Sequence, residues 1–172
     1  MERPRCAAYL GMSLDGFIAR PDGGLDWLEG YPPPPGEYQD FLASVDTLLV
    51  GRATYEQVLG FPEWPYAEKR VVVLTHRPAV PRHGEAFVAG EPAAVLGGLA
   101  AGGSRSVYLD GGAVVSQFLA ADLLDRLVVT VVPIVLGAGR RLFQGALPER
   151  PLTLVASRAH LSGLVRLEYR AR

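Results

Sequence analysis

Two segments of the chain each join a strand of apolar residues to a helix at glycine. Residues 47–58 contain the first junction, at Gly51, and residues 107–120 contain the second, at Gly111-Gly112. Glycine lets the backbone come close to a ligand, and the free N–H groups at a helix start favour an anion. Neither junction carries the full Rossmann or P-loop fingerprint, so the inference depends on the pair. The pair predicts an α/β protein that binds a ligand with two separated phosphate groups, such as a dinucleotide.

Composition and charge exclude several other classes of protein. Apolar residues make up 49% of the 172 residues, and the net charge is −1. That charge gives no reason to expect nucleic acid or an anionic membrane as a partner. Cys6 is the only cysteine, and the three histidines show no ligand spacing, so we expect no metal site. Nowhere do about 18 apolar residues run together, as a membrane-spanning helix would need, so residues 1–172 are predicted to form a single cytoplasmic domain.

Hydrophobic patterning predicts a mostly parallel mixed sheet with helices on both faces, three layers in all. Strands are predicted at residues 6–12, 47–50, 71–74, 85–88, 107–109 and 127–132, and helices at residues 37–44, 52–58, 92–101 and 113–120. Residues 17–19 are expected to be a short apolar segment that follows a turn. Strict alternation of apolar and charged residues from Val165 predicts a C-terminal antiparallel hairpin. Residues 20–36 form a long, proline-rich loop that is predicted to be a lid containing Trp27.

The apolar run from Leu127 to Leu136 is the longest in the chain. Pro133 is predicted to end its regular pairing or to place it at a sheet edge. An unpaired apolar edge invites association, so a homodimer is predicted. The alternative is that this strand is buried under a helix of the same chain.

Taken together, several short segments resemble the dihydrofolate reductase-like fold family. They are similar above all to the reductase (C-terminal) domain of the bifunctional riboflavin-biosynthesis deaminase-reductase. The segments that carry the resemblance occur in the order of the family and span most of the chain: Met12-Ser13-Leu14-Asp15-Gly16-Phe17-Ile18-Ala19, Leu25-Asp26-Trp27, Val50-Gly51-Arg52-Ala53-Thr54-Tyr55, Val72-Val73-Leu74-Thr75, Leu109-Asp110-Gly111-Gly112 and Pro133-Ile134-Val135-Leu136-Gly137-Ala138-Gly139.

The resemblance implies that NADPH is the cofactor and lies across the sheet. The residues that match its binding positions are Gly51, Arg52 and Thr54 at the first junction, Gly111, Gly112, Ala113 and Val114 at the second, Thr75, His76 and Arg77 after the central strand, and Gly11 and Ile18 beside the nicotinamide. Arginines at strand exits agree with this, because a guanidinium donates two hydrogen bonds to phosphate. For Arg77 the alternative is a solvated loop arginine.

Three residues are candidates for catalytic roles. Glu37 is nearest to the carboxylate that folate reductases place after the lid, and Asp15 lies in the turn beside the nicotinamide strand. Trp27 matches the lid over the nicotinamide. Asp15 could instead form only the turn, and Trp27 could be a core residue. Asp110 is expected to cap the second helix or to bind backbone amides rather than to contact a ligand.

The resemblance implies an NADPH-dependent reductase with a small heterocyclic substrate. The leading activity is reduction of 5-amino-6-(5-phosphoribosylamino)uracil in riboflavin synthesis, and Arg140-Arg141 is either a site for the substrate phosphate or a pair of exposed loop charges. Dihydrofolate reductase activity is one alternative. A non-catalytic nucleotide-binding protein is the other, because fold does not fix function.

Overall fold

The computed structural model describes residues 2–171. Its elements, in chain order, are β1 (Arg5–Ser13), β2 (Phe17–Ala19), α1 (Glu37–Ala43), β3 (Thr47–Gly51), α2 (Arg52–Val58), β4 (Arg70–Leu74), β5 (Ala86–Val88), α3 (Pro92–Ala101), β6 (Ser106–Asp110), α4 (Gly112–Ala120), β7 (Arg126–Val132), β8 (Arg140–Arg141), β9 (Leu152–Ala159) and β10 (Val165–Ala171). The sequence prediction included every one of these elements except β2, which we expected only as a short apolar segment, and β8, which we expected to be part of a loop.

Eight of the strands form one sheet, in the order β5-β4-β3-β6-β1-β7-β10-β9. The pairs from β5 to β7 are parallel, whereas β10 is antiparallel to both β7 and β9. The remaining two strands, β2 and β8, pair with each other outside this sheet. The predicted mixed α/β sheet with a C-terminal antiparallel hairpin is confirmed.

Helices cover both faces of the parallel part of the sheet. On one face, Phe41 of α1 and Tyr55 of α2 pack against buried residues of β3 and β4. On the other face, Leu96 of α3 and Phe118 of α4 pack against a second set of strand residues, including Leu109 of β6. Because both faces are covered, β3, β4 and β6 consist of continuous apolar runs rather than alternating ones. In residues 2–171 no helix is long and apolar enough to cross a membrane.

The apolar run that includes β7 does not form a sheet edge. β7 lies between β1 and β10 and pairs with both of them. The premise behind the predicted homodimer is therefore wrong, because the edge of this strand is paired with β10 of the same chain. The homodimer stays a prediction. The exposed edge on this side is β9, where Leu154 and Val155 are both more than half exposed.

The long loop after β2 folds back onto the body of the protein. It contains a short 3-10 helix at Asp26–Leu28, and Arg20 anchors it through a bidentate ion pair with Asp26, with Nε–Oδ1 at 2.7 Å. Trp27 is only 5% exposed and packs against Val132 and Leu164. The tryptophan thus belongs to a small apolar cluster that fixes the loop to the sheet.

Candidate functional site

A cleft of about 1010 Å³ opens where β1, β3 and β6 end. This is the edge at which parallel α/β sheets bind ligands, since helix N-termini and strand-to-helix loops meet there. Nine of the twelve residues predicted to bind the cofactor line the cleft: Gly11, Ile18, Gly51, Arg52, Thr54, Gly111, Gly112, Ala113 and Val114. The fold therefore brings the two glycine junctions into one cavity. The loop after β2 contributes Leu25 and Leu28 to its wall.

The second junction has a backbone that only glycine adopts easily. Gly111 has φ 94° and ψ 139°, and a Cβ on it would collide with the hydroxyl of Thr54. The N–H groups at the start of α4, at Gly112, Ala113 and Val114, have no partner inside the helix and lie along the cleft. Ala113 is exposed there, so the helix start is open to a ligand.

Gly112 has a different role from the one that its position in the sequence indicates. A Cβ on it would meet the carbonyl oxygens of Arg141 and Leu142, the latter at 2.9 Å, and Nε2 of Gln144 at 2.6 Å. The segment after β8 is held against α4 here, because the Ser116 hydroxyl donates to the Leu142 carbonyl at 3.3 Å. Gly112 is required for this close packing. A larger residue would first disturb the fold.

The loop after β4 lies beside the cleft rather than in its wall. Of its three predicted residues, Thr75 accepts a hydrogen bond from the Arg77 amide at 3.1 Å, and His76 is exposed. The Arg52 guanidinium donates to the Arg77 carbonyl and forms an ion pair with Glu56 at 2.7 Å. Arg52 thereby connects this loop to the wall of the cleft.

Asp15 joins two loops and does not line the cleft. Burial alone would raise its pKa, but hydrogen bonds from the Ser13 hydroxyl and the amides of Leu136 and Gly137 outweigh it and lower the pKa to about 2. Those hydrogen bonds measure 2.7, 3.0 and 2.7 Å. A carboxylate held in this way remains ionised at neutral pH and is a poor proton donor.

Glu37 and Trp27 also lie behind the wall of the cleft. Glu37 is the first residue of α1, and its carboxylate is surrounded by Arg158 at 3.2 Å, Arg166 at 3.8 Å and His160 at 3.9 Å. Its neighbour Tyr38 faces the cleft instead. We therefore assign none of the three candidate catalytic residues to proton transfer.

The carboxyl that does line the cleft is Asp110, at the end of β6. Of the two roles expected for its side chain, the cap is wrong, because α4 begins at Gly111-Gly112 without a side-chain cap, whereas the binding of a backbone amide is confirmed, because the carboxyl accepts a hydrogen bond from the Gly111 backbone. Burial raises the pKa of Asp110 to about 6, against a smaller opposing effect of a backbone hydrogen bond from Gly111. Such a carboxyl is protonated for part of the time near neutral pH. The unusual acidic residue before Gly-Gly was the sequence signal for this role.

Four tyrosines surround the part of the cleft next to Asp110. Tyr9 packs against Tyr38 with ring centroids 5.6 Å apart, and the Tyr108 hydroxyl donates to the Tyr9 carbonyl at 2.8 Å. The hydroxyl of Tyr38 lies next to those of Tyr66 and Tyr108. We call Tyr9, Tyr38, Tyr66 and Tyr108 the tyrosine end of the cleft. The part of the cleft lined by Thr54, Gly111, Gly112, Ala113, Arg141 and Gln144 is called the glycine end.

Three solved structures share this architecture. A protein from Shewanella sp. PV-4 that has been assigned to riboflavin biosynthesis has a TM-score of 0.88 and 34% identity, over 98% of this chain and 99% of that one. A deaminase and 5-amino-6-(5-phosphoribosylamino)uracil reductase from Thermotoga maritima has a TM-score of 0.77 and 19% identity, over 99% of this chain and 57% of that one. A dihydrofolate reductase from Enterococcus faecalis complexed with NADP(H) has a TM-score of 0.65 and 21% identity, over 98% and 96%.

The last two similarities show the fold, which is the dihydrofolate reductase-like fold predicted from the sequence. The family itself is shown by a sequence model, that of the RibD C-terminal domain, which matches residues 6–165. This match includes both glycine junctions and all four residues of the tyrosine end. The chain belongs to the RibD C-terminal domain family.

Proposed function

We propose that the protein is an NADPH-dependent reductase of a conjugated C=N or C=O bond in a small heterocyclic acceptor. The observation that carries this proposal is one cleft that joins a helix start open to phosphate with a carboxyl of pKa about 6. The first feature suits the anionic part of a dinucleotide, and the second suits transfer of a proton near neutral pH.

The residues at the glycine end fit the cofactor. The backbone N–H groups of Gly112 and Ala113 would hold phosphate oxygens, and Arg52 with the loop at Thr75, His76 and Arg77 would hold the additional phosphate of the adenosine. Gly11 and Ile18 form the wall of the cleft where the resemblance places the nicotinamide. When bound, NADPH supplies the hydride.

Asp110 is proposed to supply the proton that balances the reduction. The acceptor carbon gains the hydride, and the nitrogen or oxygen of the same double bond gains a proton. A carboxyl with a pKa of about 6 is protonated for part of the time near neutral pH; in that form it donates the proton, and it is then reprotonated from water. General acid catalysis of this kind contributes roughly 10²–10⁴-fold in rate.

The first acceptor to test is 5-amino-6-(5-phosphoribosylamino)uracil, the compound after which the similar Thermotoga maritima reductase is named. The second is dihydrofolate, because a dihydrofolate reductase shares the fold. The assay measures the loss of NADPH absorbance with each acceptor, for the natural protein and for Asp110→Asn. Asp40→Asn, which changes an exposed carboxylate of α1, is the matched control.

We expect turnover that Asp110→Asn reduces at least 100-fold and that Asp40→Asn leaves unchanged. Tight NADPH binding without oxidation by any acceptor would instead favour the non-catalytic nucleotide-binding protein. Absence of NADPH binding in calorimetry would contradict the whole proposal.

A further inference from the structure

The loop between β4 and β5, residues 75–85, contains a single acidic residue, Glu85, and that residue is buried. Glu85 is only 3% exposed. Its carboxylate accepts hydrogen bonds from the Tyr55 hydroxyl and from the backbone amides of Arg82 at 2.8 Å and His83 at 2.7 Å. Burial alone would raise its pKa, but these hydrogen bonds outweigh it and lower the pKa to about 2. Glu85 is therefore ionised at neutral pH, and its charge is directed into the protein.

This carboxylate connects the end of the loop to α2, the helix that begins at the first glycine junction. Tyr55, which donates to it, is a buried residue of α2. The start of the loop is held to the same helix, because Arg52 donates to the Arg77 carbonyl. His83 also stacks on Trp64, in the segment that follows α2, with ring centroids 4.3 Å apart. The loop is thus fixed at both ends to the helix whose first turn lines the cleft.

Between the two anchors lie two arginines whose charges are not neutralised. The side chains of Arg77 and Arg82 form no ion pair or hydrogen bond with any group in residues 2–171, and both residues are exposed. Burial and its bond to Glu85 raise the pKa of Tyr55 to about 12. The positive charges of Arg82 and Arg52 oppose this rise, so both guanidinium groups lie near the Tyr55 hydroxyl. Arg82 is therefore on the side of the loop that faces α2.

We propose that Arg82 is a second arginine, besides Arg77, that binds the additional phosphate of NADPH, and that Glu85 is the positioning residue that holds Arg82 there. The inference rests on the proposed function and names residues by which the cofactor site distinguishes NADPH from NADH. A phosphate monoester carries a charge of about −1.5 to −2 at pH 7, which two free guanidinium groups match. Glu85 acts through the backbone: it fixes the Arg82 amide, while three donors already satisfy its own carboxylate.

The first test measures binding without turnover. NADPH and NADH, which differ only in the additional phosphate, are each titrated calorimetrically into the natural protein and into Arg82→Ala with no acceptor present. We expect Arg82→Ala to weaken NADPH binding about tenfold and to leave NADH affinity unchanged. Arg105→Ala, which removes an exposed arginine directly before β6, is the matched control and should change neither affinity. A loss of NADPH affinity below threefold in Arg82→Ala overturns the inference. Failure of the natural protein to bind either cofactor contradicts the proposed function instead.

Variants of Glu85 distinguish positioning from folding. Glu85→Ala removes the acceptor of the Arg82 amide, so NADPH affinity is expected to fall about fivefold to tenfold while NADH affinity stays constant. Glu85→Gln keeps an oxygen that accepts from the backbone and should retain NADPH affinity within threefold. Because Glu85 acts through Arg82, the losses in Glu85→Ala and Arg82→Ala should not add in the double variant. Equal losses of NADPH and NADH affinity in Glu85→Ala, or additive losses in the double variant, would overturn the positioning role.

Discussion

The two ends of the cleft are built in opposite ways. At the glycine end the ligand-facing groups are mainly backbone N–H groups of one helix start, and their geometry depends on the left-handed φ of Gly111. At the tyrosine end they are side chains from β1, α1, β6 and the segment between α2 and β4. The first end is open and faces cations, whereas the second is aromatic and contains a single carboxyl.

This difference suits the two tasks of the proposed reaction, which are to bind the cofactor at the glycine end and to bind and protonate the acceptor at the tyrosine end. Backbone donors bind phosphate in the same way whatever chemistry follows, so the glycine end can be shared across a fold family. Specificity for an acceptor comes from individual side chains. The variants below are chosen so that each affects one end and leaves the other unchanged.

The largest effect is expected at the tyrosine end, for turnover by Asp110→Asn. The amide keeps the shape of the carboxyl but has no acidic proton, so kcat is expected to fall about 10²–10⁴-fold while NADPH affinity changes little. In the natural protein kcat should decrease as the pH rises through about 6, because the protonated form of Asp110 is lost. A pH profile of kcat that is flat from pH 5 to pH 8 would contradict this role.

Asp110→Asn is expected to lower kcat but to raise the free energy of unfolding. Since the pKa of Asp110 is raised in the folded state to about 6, ionisation opposes folding, and this cost is present in full above about pH 6. It disappears as the pH falls toward the unfolded value of 3.8. Asp110→Asn should therefore raise the free energy of unfolding by about 2–3 kcal/mol more at pH 8 than at pH 4. Urea unfolding at both pH values measures this, with Asp40→Asn as the control that shows no such difference.

At the glycine end, Gly112→Ala tests packing rather than binding. Its Cβ would crowd the carbonyls of Arg141 and Leu142, so we expect a loss of about 1–3 kcal/mol in the free energy of unfolding. Ala113→Val is the matched change one residue later, where the side chain is exposed in the cleft. It should cost below about 1 kcal/mol in stability but obstruct NADPH. The reverse pattern in thermal unfolding and NADPH titration would show that Gly112, not Ala113, faces the ligand.

The sequence predicted the glycine end far better than the tyrosine end. Gly51 and Gly111 mark strand-to-helix junctions that are local in sequence, so the pattern itself places them at the cleft. Tyr9, Tyr38, Tyr66 and Tyr108 are far apart in sequence, and only the packing of the helices on the sheet brings them together. Asp15 and Glu37 are candidates from the sequence because the first follows the strand beside the nicotinamide and the second follows the lid. Their partners, the amides of Leu136 and Gly137 and the arginines of β9 and β10, come from distant parts of the chain.

The smallest effect is expected for Arg77→Ala, at the edge of the glycine end. Arg52 already binds Glu56 and the Arg77 carbonyl, whereas the exposed guanidinium of Arg77 has no partner among residues 2–171. It is therefore a group that is free to bind the additional phosphate that distinguishes NADPH from NADH.

A single charge-assisted contact on the surface is worth about 1.5 kcal/mol, so in Arg77→Ala the NADPH affinity should fall roughly tenfold and the NADH affinity should stay constant. The control is Arg105→Ala, an exposed arginine directly before β6, at the end of that strand away from the cleft. Because salt screens exposed charges, the preference for NADPH should also narrow between 50 and 500 mM salt in the natural protein and less so in Arg77→Ala. Equal NADPH affinity in Arg77→Ala and the natural protein at low salt would mean that Arg77 is a solvated loop residue, and that the two cofactors are distinguished through Arg52 or Arg82 or not at all.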